Sequence, residues 1–325
     1  MEDAAKRRQK EALQRTAAQE FSAGKNLLEE GRYAYAWYRL NHVYDFNVSF
    51  PELDSLLLKC EEGMGWPRRE PELVELLKRY LGCPFRLFTP QPDPHKHMEA
   101  YKRAWKTGKT HGFVPVFISV SGTEHLLEML VANADPASEN DIKKFSPERV
   151  AAYRKELLET PLPDADGILK KAAGEMNLYE EMKEFGIMGA EKILHNVFWS
   201  LFGSGPNEFN ENPPVKQVML AKIPVQNPWE VFAWLPMGNW NCVPGPLEMM
   251  AVAKSWYERF GAVPAAVSGD EVEFYMDIPA GRGRSRAELE ALAFELYAFA
   301  PDTWESKLID TSYLKKCRYW YFWWD

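Results

Sequence analysis

The chain reads as an α+β protein: a mixed, largely antiparallel sheet with helices packed on it, preceded by an all-helical N-terminal segment. Three observations predict this. Residues 1 to 63 carry helical periodicity with no strand signal. From Tyr101 onward, β-rich runs and amphipathic helices interleave. They do so without the regular rhythm of a parallel α/β sheet, which points to α+β with the helices on one face. At 325 residues the chain is long enough for two units. A hydrophobic content of 46% with 26% charged residues is that of a folded chain, and twelve tryptophans supply large rings for its core.

The elements follow in order. Gly31 and the stretch 47–51 punctuate the first helices, and a further helix runs from about Pro51 to Glu62. Gly24, Gly31, Tyr33, Ala36 and Leu40 fall where a tetratricopeptide hairpin places its small and packing residues, so residues 1–83 resemble one such repeat. A lone hairpin cannot bury its apolar face and must dock on the chain or on a partner. Pro71 to Leu81 is a helix with proline in its first turn, closed by Gly82. Residues 84–97, PFRLFTPQPDPHKH, are proline-rich and read as a link. That link marks the boundary to an α+β domain over 98–325, and residues 95–325 are expected to fold alone.

Within this domain Phe113–Val120 is a strand and Thr123–Asn133 a helix. Ser146 with Pro147 starts another helix, running to Glu159, and Ile168 to about Phe185 is the next. An apolar patch, His195–Phe202, and the loop GSGPNEFNENPP lead to strands at Val215–Val225 and Glu230–Leu235. Pro246–Phe260 is a helix closed by Gly261. Ala265–Ser268 and Glu271–Ile278 form a hairpin about Gly269-Asp270. A helix over Arg286–Ala298 and an aromatic strand, Arg318–Trp324, complete the domain.

Charge and cysteines narrow the functions. A net charge of -8 repels nucleic acid and anionic membranes and suits a basic protein partner. No apolar run spans a bilayer and the charged start is not a signal peptide, so the cytoplasm is expected. Cys60, Cys83, Cys242 and Cys317 are too scattered for a zinc knuckle or a redox pair. His95 and His97 read as loop residues, and Asp164 with Asp166 lacks the closing Glu of a calcium loop, where Ala173 stands. No metal and no cofactor is expected. Phosphate-loop, nucleophile-elbow and zinc-helix motifs do not occur.

Five motifs stand in the last third: GNWNCVP at 238–244, WYERFGA at 256–262, GDEVEFY at 269–275, YAFAPD at 297–302 and YFWWD at 321–325. Their order and spacing resemble the bacterial domain-of-unknown-function family 4253 over about 215–325. HGFVPVFI and YRKELL resemble its longer form, back to about residue 100. The resemblance implies no assigned activity. Members commonly carry Cys where this chain has Ala300, and a polar segment with Gly where TWESKL follows. If that Cys is a nucleophile in the family, its chemistry is missing here.

The candidate site is the loop Asn239, Trp240 and Asn241, which offers amide donors and acceptors beside a flat ring. Turn chemistry is the competing reading. Asp270, Glu273 and Asp302 are candidate carboxylates, and Asp270 and Glu273 are expected to share one concave patch with the loop. There Asn241→Ala and Glu273→Ala would abolish binding at little cost in stability. The first functional reading is a binding or interaction protein engaging a basic protein, such as a toxin held in the manner of an immunity protein. The alternatives are a metal-independent hydrolase or transferase with a carboxylate-lined pocket, and a small-molecule sensor.

Overall fold

The structure is a computed structural model that describes residues 2–46, 48, 50–65, 71–88, 94–120, 123–175, 218–302 and 311–324. Two helices, α1 (Glu2–Glu29) and α2 (Tyr33–His42), pack as a hairpin, with α3 (Leu53–Gly63) against α2. Ala36, Trp37, Leu40 and Asn41 of α2 are buried, and the Trp37 indole donates to the buried Glu61 at 2.9 Å. The amphipathic helix α4 (Pro71–Leu81) packs on helices of the body.

Within the stretch 84–97 read as a link, residues 85–88 and 94–97 are regular structure. Phe85–Phe88 is strand β1 and Pro94–His111 is helix α5. The prolines mislead because they flank these elements: Pro84 offers only its carbonyl, which accepts from Lys222 at 2.8 Å, and Pro94 begins the helix, where its missing N–H costs nothing.

The sheet also contains β2 (Val114–Ser119), β3 (Val218–Ile223), β4 (Val263–Val267), β5 (Glu271–Tyr275) and β6 (Tyr319–Trp323), in the order β1-β3-β2-β4-β5-β6. Phe117 and Ile118 pair with Ala266 and Val267 in parallel; the other pairings are antiparallel. Between β2 and β3 lie α6 (Thr123–Ala134), α7 (Pro147–Glu159) and α8 (Ala165–Glu175). Ser146 caps α7 through its hydroxyl, as its position before Pro147 predicts. The helix expected to reach Phe185 is described only to Glu175, and the 195–202 patch with the loop after it lies outside the described residues.

The strand expected over Glu230–Leu235 is a short helix, α9 (Val231–Trp234), entered by a 3-10 turn at Pro228–Glu230. Local capping overrides the β-prone composition. The Asn227 amide donates to Glu230 at 2.7 Å, and the other Glu230 oxygen accepts the Asn227 backbone N–H at 3.0 Å. Then come α10 (Pro246–Phe260), ended by left-handed Gly261, α11 (Arg286–Phe299), capped by Ser285 and Glu288, and α12 (Thr311–Lys316).

Helices cover both faces of the sheet, not one. On one face Trp256 of α10 lies edge-on to Phe274 and Trp320 and stacks on Phe322, with Phe299 of α11 closing the cluster. On the other, Tyr101 of α5 contacts Phe117 and Tyr275. β6 serves both: Trp320 and Phe322 enter the first cluster, while Tyr319 lies beside Tyr275 and Tyr321 reaches Glu271 on the second.

Several polar contacts tie the N-terminal helices to this body, those of Arg154 and Asn41 among them. Arg154 of α7 donates to the carbonyls of Tyr80 and Leu81 at 2.6 and 3.2 Å, where α4 runs out of intrahelical partners, and lies over the Tyr80 and Trp234 rings. Asn41, 1% exposed, meets the outer edge of β1: its amide donates to the Leu87 carbonyl and its oxygen accepts the Leu87 N–H at 3.0 Å. One side chain thereby satisfies main-chain groups that an edge strand leaves open. Asn41→Leu is expected to cost about 2 to 4 kcal/mol, since each buried polar group left unpaired costs about 1 to 3 kcal/mol. Urea unfolding measures it; a loss below about 0.5 kcal/mol would mean that solvent replaces the amide.

Candidate functional site

The parallel pair sets the position of the site. Where β2 and β4 run side by side, the turns after their carboxyl ends emerge on one edge of the sheet, the edge at which open α/β sheets commonly bind ligands. The turn after β4 is Ser268–Asp270, and the segment after β2 leads into α6, whose first turns carry His125. A Cβ on Gly269 would lie 2.5 Å from the His125 Cδ2, so glycine is what lets this ring sit against the turn. On its other side, the His125 ring is 6.4 Å from that of Trp240 at 68°.

Trp240 belongs to a loop with an unusual backbone. Gly238, Asn239 and Asn241 all have positive φ, at 100°, 63° and 45°. Asn is the side chain that best tolerates this after Gly. A Cβ at Gly238 would lie 2.0 Å from the Pro244 carbonyl oxygen, so the loop closes on itself at that point. Asn133 of α6 holds it from outside: its amide donates to the Pro236 carbonyl at 2.7 Å and its oxygen accepts from the Asn239 amide at 2.6 Å. The Asn239 side chain is thus spent on loop structure. Asn241 is exposed, and the Trp240 Nε1 is buried with no acceptor among the described residues.

The candidate carboxylates divide. Asp270 accepts from the Trp323 indole at 3.1 Å and the Ser268 hydroxyl at 3.2 Å, while its carbonyl accepts from the Trp324 N–H. It fastens the hairpin turn to β6. Asp302, half-buried, accepts from the Cys242 thiol at 3.8 Å, which places it beside the Asn-Trp-Asn loop. Glu273 is elsewhere: it is fully buried on the face covered by α5, opposite Tyr321 in the ladder. Its alternation with Glu271 and Tyr275 is as the sequence suggests, but that face is covered, since Tyr101 of α5 packs against Tyr275 there. Glu273 does not share a surface patch with the loop, and its removal is expected to destabilise the fold.

The electrostatics oppose an activated nucleophile. Burial, and then the Asp302 carboxylate, push the Cys242 thiol up from its ordinary value, which keeps it protonated. Burial, followed by Glu271, Glu273 and Asp270, pushes the Tyr321 hydroxyl far up, and it donates to Glu271 at 2.8 Å. What the edge offers is a ring, exposed amide groups, an imidazole and carboxylates, a set suited to recognition.

Sequence spacing leaves His125 a scattered histidine and Trp323 a member of the aromatic strand, and it does not single out Asn133 or Ser268. Asn133 is 106 residues from Asn239 in the chain, and no local spacing announces the pair. The Gly269 side of the contact was legible only as a turn.

The family comparison covers only the later part of this α+β unit and leaves out β1, β2 and the helix that carries His125 and Asn133. Residues 219–325 match the family described as domain of unknown function (DUF4253), so the C-terminal part of the chain is similar to that family. The match takes in the Asn-Trp-Asn loop, the Gly-Asp turn, Asp302 and β6. It does not include HGFVPVFI or YRKELL. No curated protein and no solved structure matches the chain. Ala300 is fully buried just after α11, so its side chain faces the core.

Proposed function

We propose that this is a binding protein that uses the sheet edge around His125 to engage a basic protein partner. The observation that carries the reading is the meeting of the Asn-Trp-Asn loop and the Gly-Asp turn around His125. Sequence-distant loops brought to one ring make a preformed surface, which loses little freedom when a partner arrives. Asp270, Glu271 and Asp302 give it acidic character, and the net charge of -8 favours approach of a cationic protein. Recognition of a basic toxin in the manner of an immunity protein is one form of this reading. A hydrolase or transferase working through Cys242 would need a thiolate, and one working through Asp270 and Asp302 two carboxylates free for proton transfer; here the thiol is held protonated, and Asp270 is engaged by Trp323 and Ser268.

Titration calorimetry with any basic protein encoded beside this chain tests the proposal. Asn241→Gly keeps the left-handed backbone and deletes the amide; Asp302→Asn deletes the charge. Each is expected to weaken binding about tenfold, while the thermal melt moves by no more than exposed polar changes usually cause, about 0.5 kcal/mol. Binding that ignores both changes would reduce the loop to turn chemistry.

A further inference from the structure

We infer that the outer face of α2 is a second docking surface, distinct from the sheet edge around His125, and that its occupant is an acidic peptide segment with apolar residues from a partner protein. Tyr35 and Tyr38 are 64% and 56% exposed and stand three residues apart, so they share one face of the helix. Large rings are normally withdrawn from water, and a cluster of them beside arginines is the composition of an interface centre. A surface groove of about 600 Å³ runs between them, lined by Leu27, Arg32, Ala34, Tyr35, Tyr38 and Arg39.

The cations set the sign of the partner. The Arg32 guanidinium lies 4.7 Å from the Tyr35 ring centre, and that of Arg86 lies 5.4 Å from the Tyr38 ring. Rings hold these forks flat, presenting their N–H donors in the geometry that carboxylates accept. Arg39 is already engaged by Glu20 at 3.0 and 3.1 Å, so it contributes shape more than charge. Arg32 has Glu30 only at 3.5 Å and keeps 53% of its side chain exposed. In a chain of net charge -8, arginine and tyrosine thus gather at one groove. Glu20 and Glu30 at its rim weigh against a nucleic acid, whose closely spaced phosphates would meet them all along the groove, whereas a peptide can set its carboxylates apart. Leu27 and the rings supply the apolar floor that side chains such as Leu or Phe fill.

Fluorescence anisotropy on the full chain tests this, with a dye-labelled peptide of Glu and Leu, its counterpart with Gln in place of Glu, and an oligothymidylate of like length. The Glu peptide is expected to bind saturably, and the Gln peptide about tenfold more weakly. Tyr35→Ser, Tyr38→Ser and Arg32→Gln, all at exposed positions that leave the melt in place, are each expected to weaken the Glu peptide about tenfold. Absence of saturable binding overturns the inference. So do equal binding of the two peptides, tighter binding of the oligonucleotide, or affinity that the three variants leave unchanged.

Discussion

A chain ending at Trp320 is expected to lose its cooperative melt and aggregate. The removed stretch contributes Phe322, which stacks on Trp256 and meets Phe274, Phe299 and Trp324 edge-on or in parallel, all in one buried cluster. It also contributes the Trp324 indole, which donates to the Phe299 carbonyl at 3.3 Å. Losing one buried aromatic costs about 3 to 5 kcal/mol, and a domain holds only about 5 to 15 kcal/mol in all. The other face loses as much in kind: Tyr321 leaves Glu271 and Trp323 leaves Asp270, so carboxylates that the strand had satisfied are exposed or stranded. Calorimetry of the truncated and full chains measures the effect. A melt of full enthalpy in the shortened chain would mean that β6 is a surface strand and that α10 and α11 alone close the core.

Residues 95–325 alone are expected to be insoluble, against what their proline-flanked boundary suggests. That cut removes β1 from the sheet and uncovers the main-chain edge of β3 over Val218–Ala221. An apolar strand with open N–H and C=O groups pairs readily with another copy. It also removes α4, whose terminal carbonyls engage Arg154, and leaves that half-sequestered guanidinium, whose basicity burial already lowers, beside Trp234 without them. Size-exclusion chromatography of the fragment is the measurement; a monomer with a cooperative melt would show that β3 tolerates an open edge.

The fold was legible where local chemistry decides it. Ser146-Pro147, Gly261 and the Gly269-Asp270 turn each announce an end or a reversal, and each stands where its chemistry places it. It was illegible where a local rule and a distant contact compete. Phe85–Phe88 is a strand because β3 provides a partner more than a hundred residues later, and nothing around Pro84 reports that. At Asn227–Glu230 the failure was different, since the capping pair was present in the sequence and the β-branched and aromatic residues after it outweighed it. The site was half legible. Positive φ at Asn239 and Asn241 agrees with the residue types, but the helix that grips the loop, through Asn133, and the ring it faces, His125, come from a segment over a hundred residues earlier.

The two-sided strand β6 raises a problem of registration. Polar and apolar alternation normally forbids a strand to slip by one residue, because the slip would turn its greasy side to water. In Tyr319–Trp323 every side chain is aromatic, and both sides are covered, so greasiness alone scarcely distinguishes the true alignment from its neighbour. What distinguishes it is valence: a slip would bring phenyl and indole carbons to Asp270 and Glu271, and tyrosine hydroxyls into the ring cluster around Trp256, where its aromatic neighbours offer no acceptor. The carboxylates of the neighbouring turn thus act as a ratchet for the closing strand, and that is a use of Asp270 and Glu271 independent of anything the protein binds.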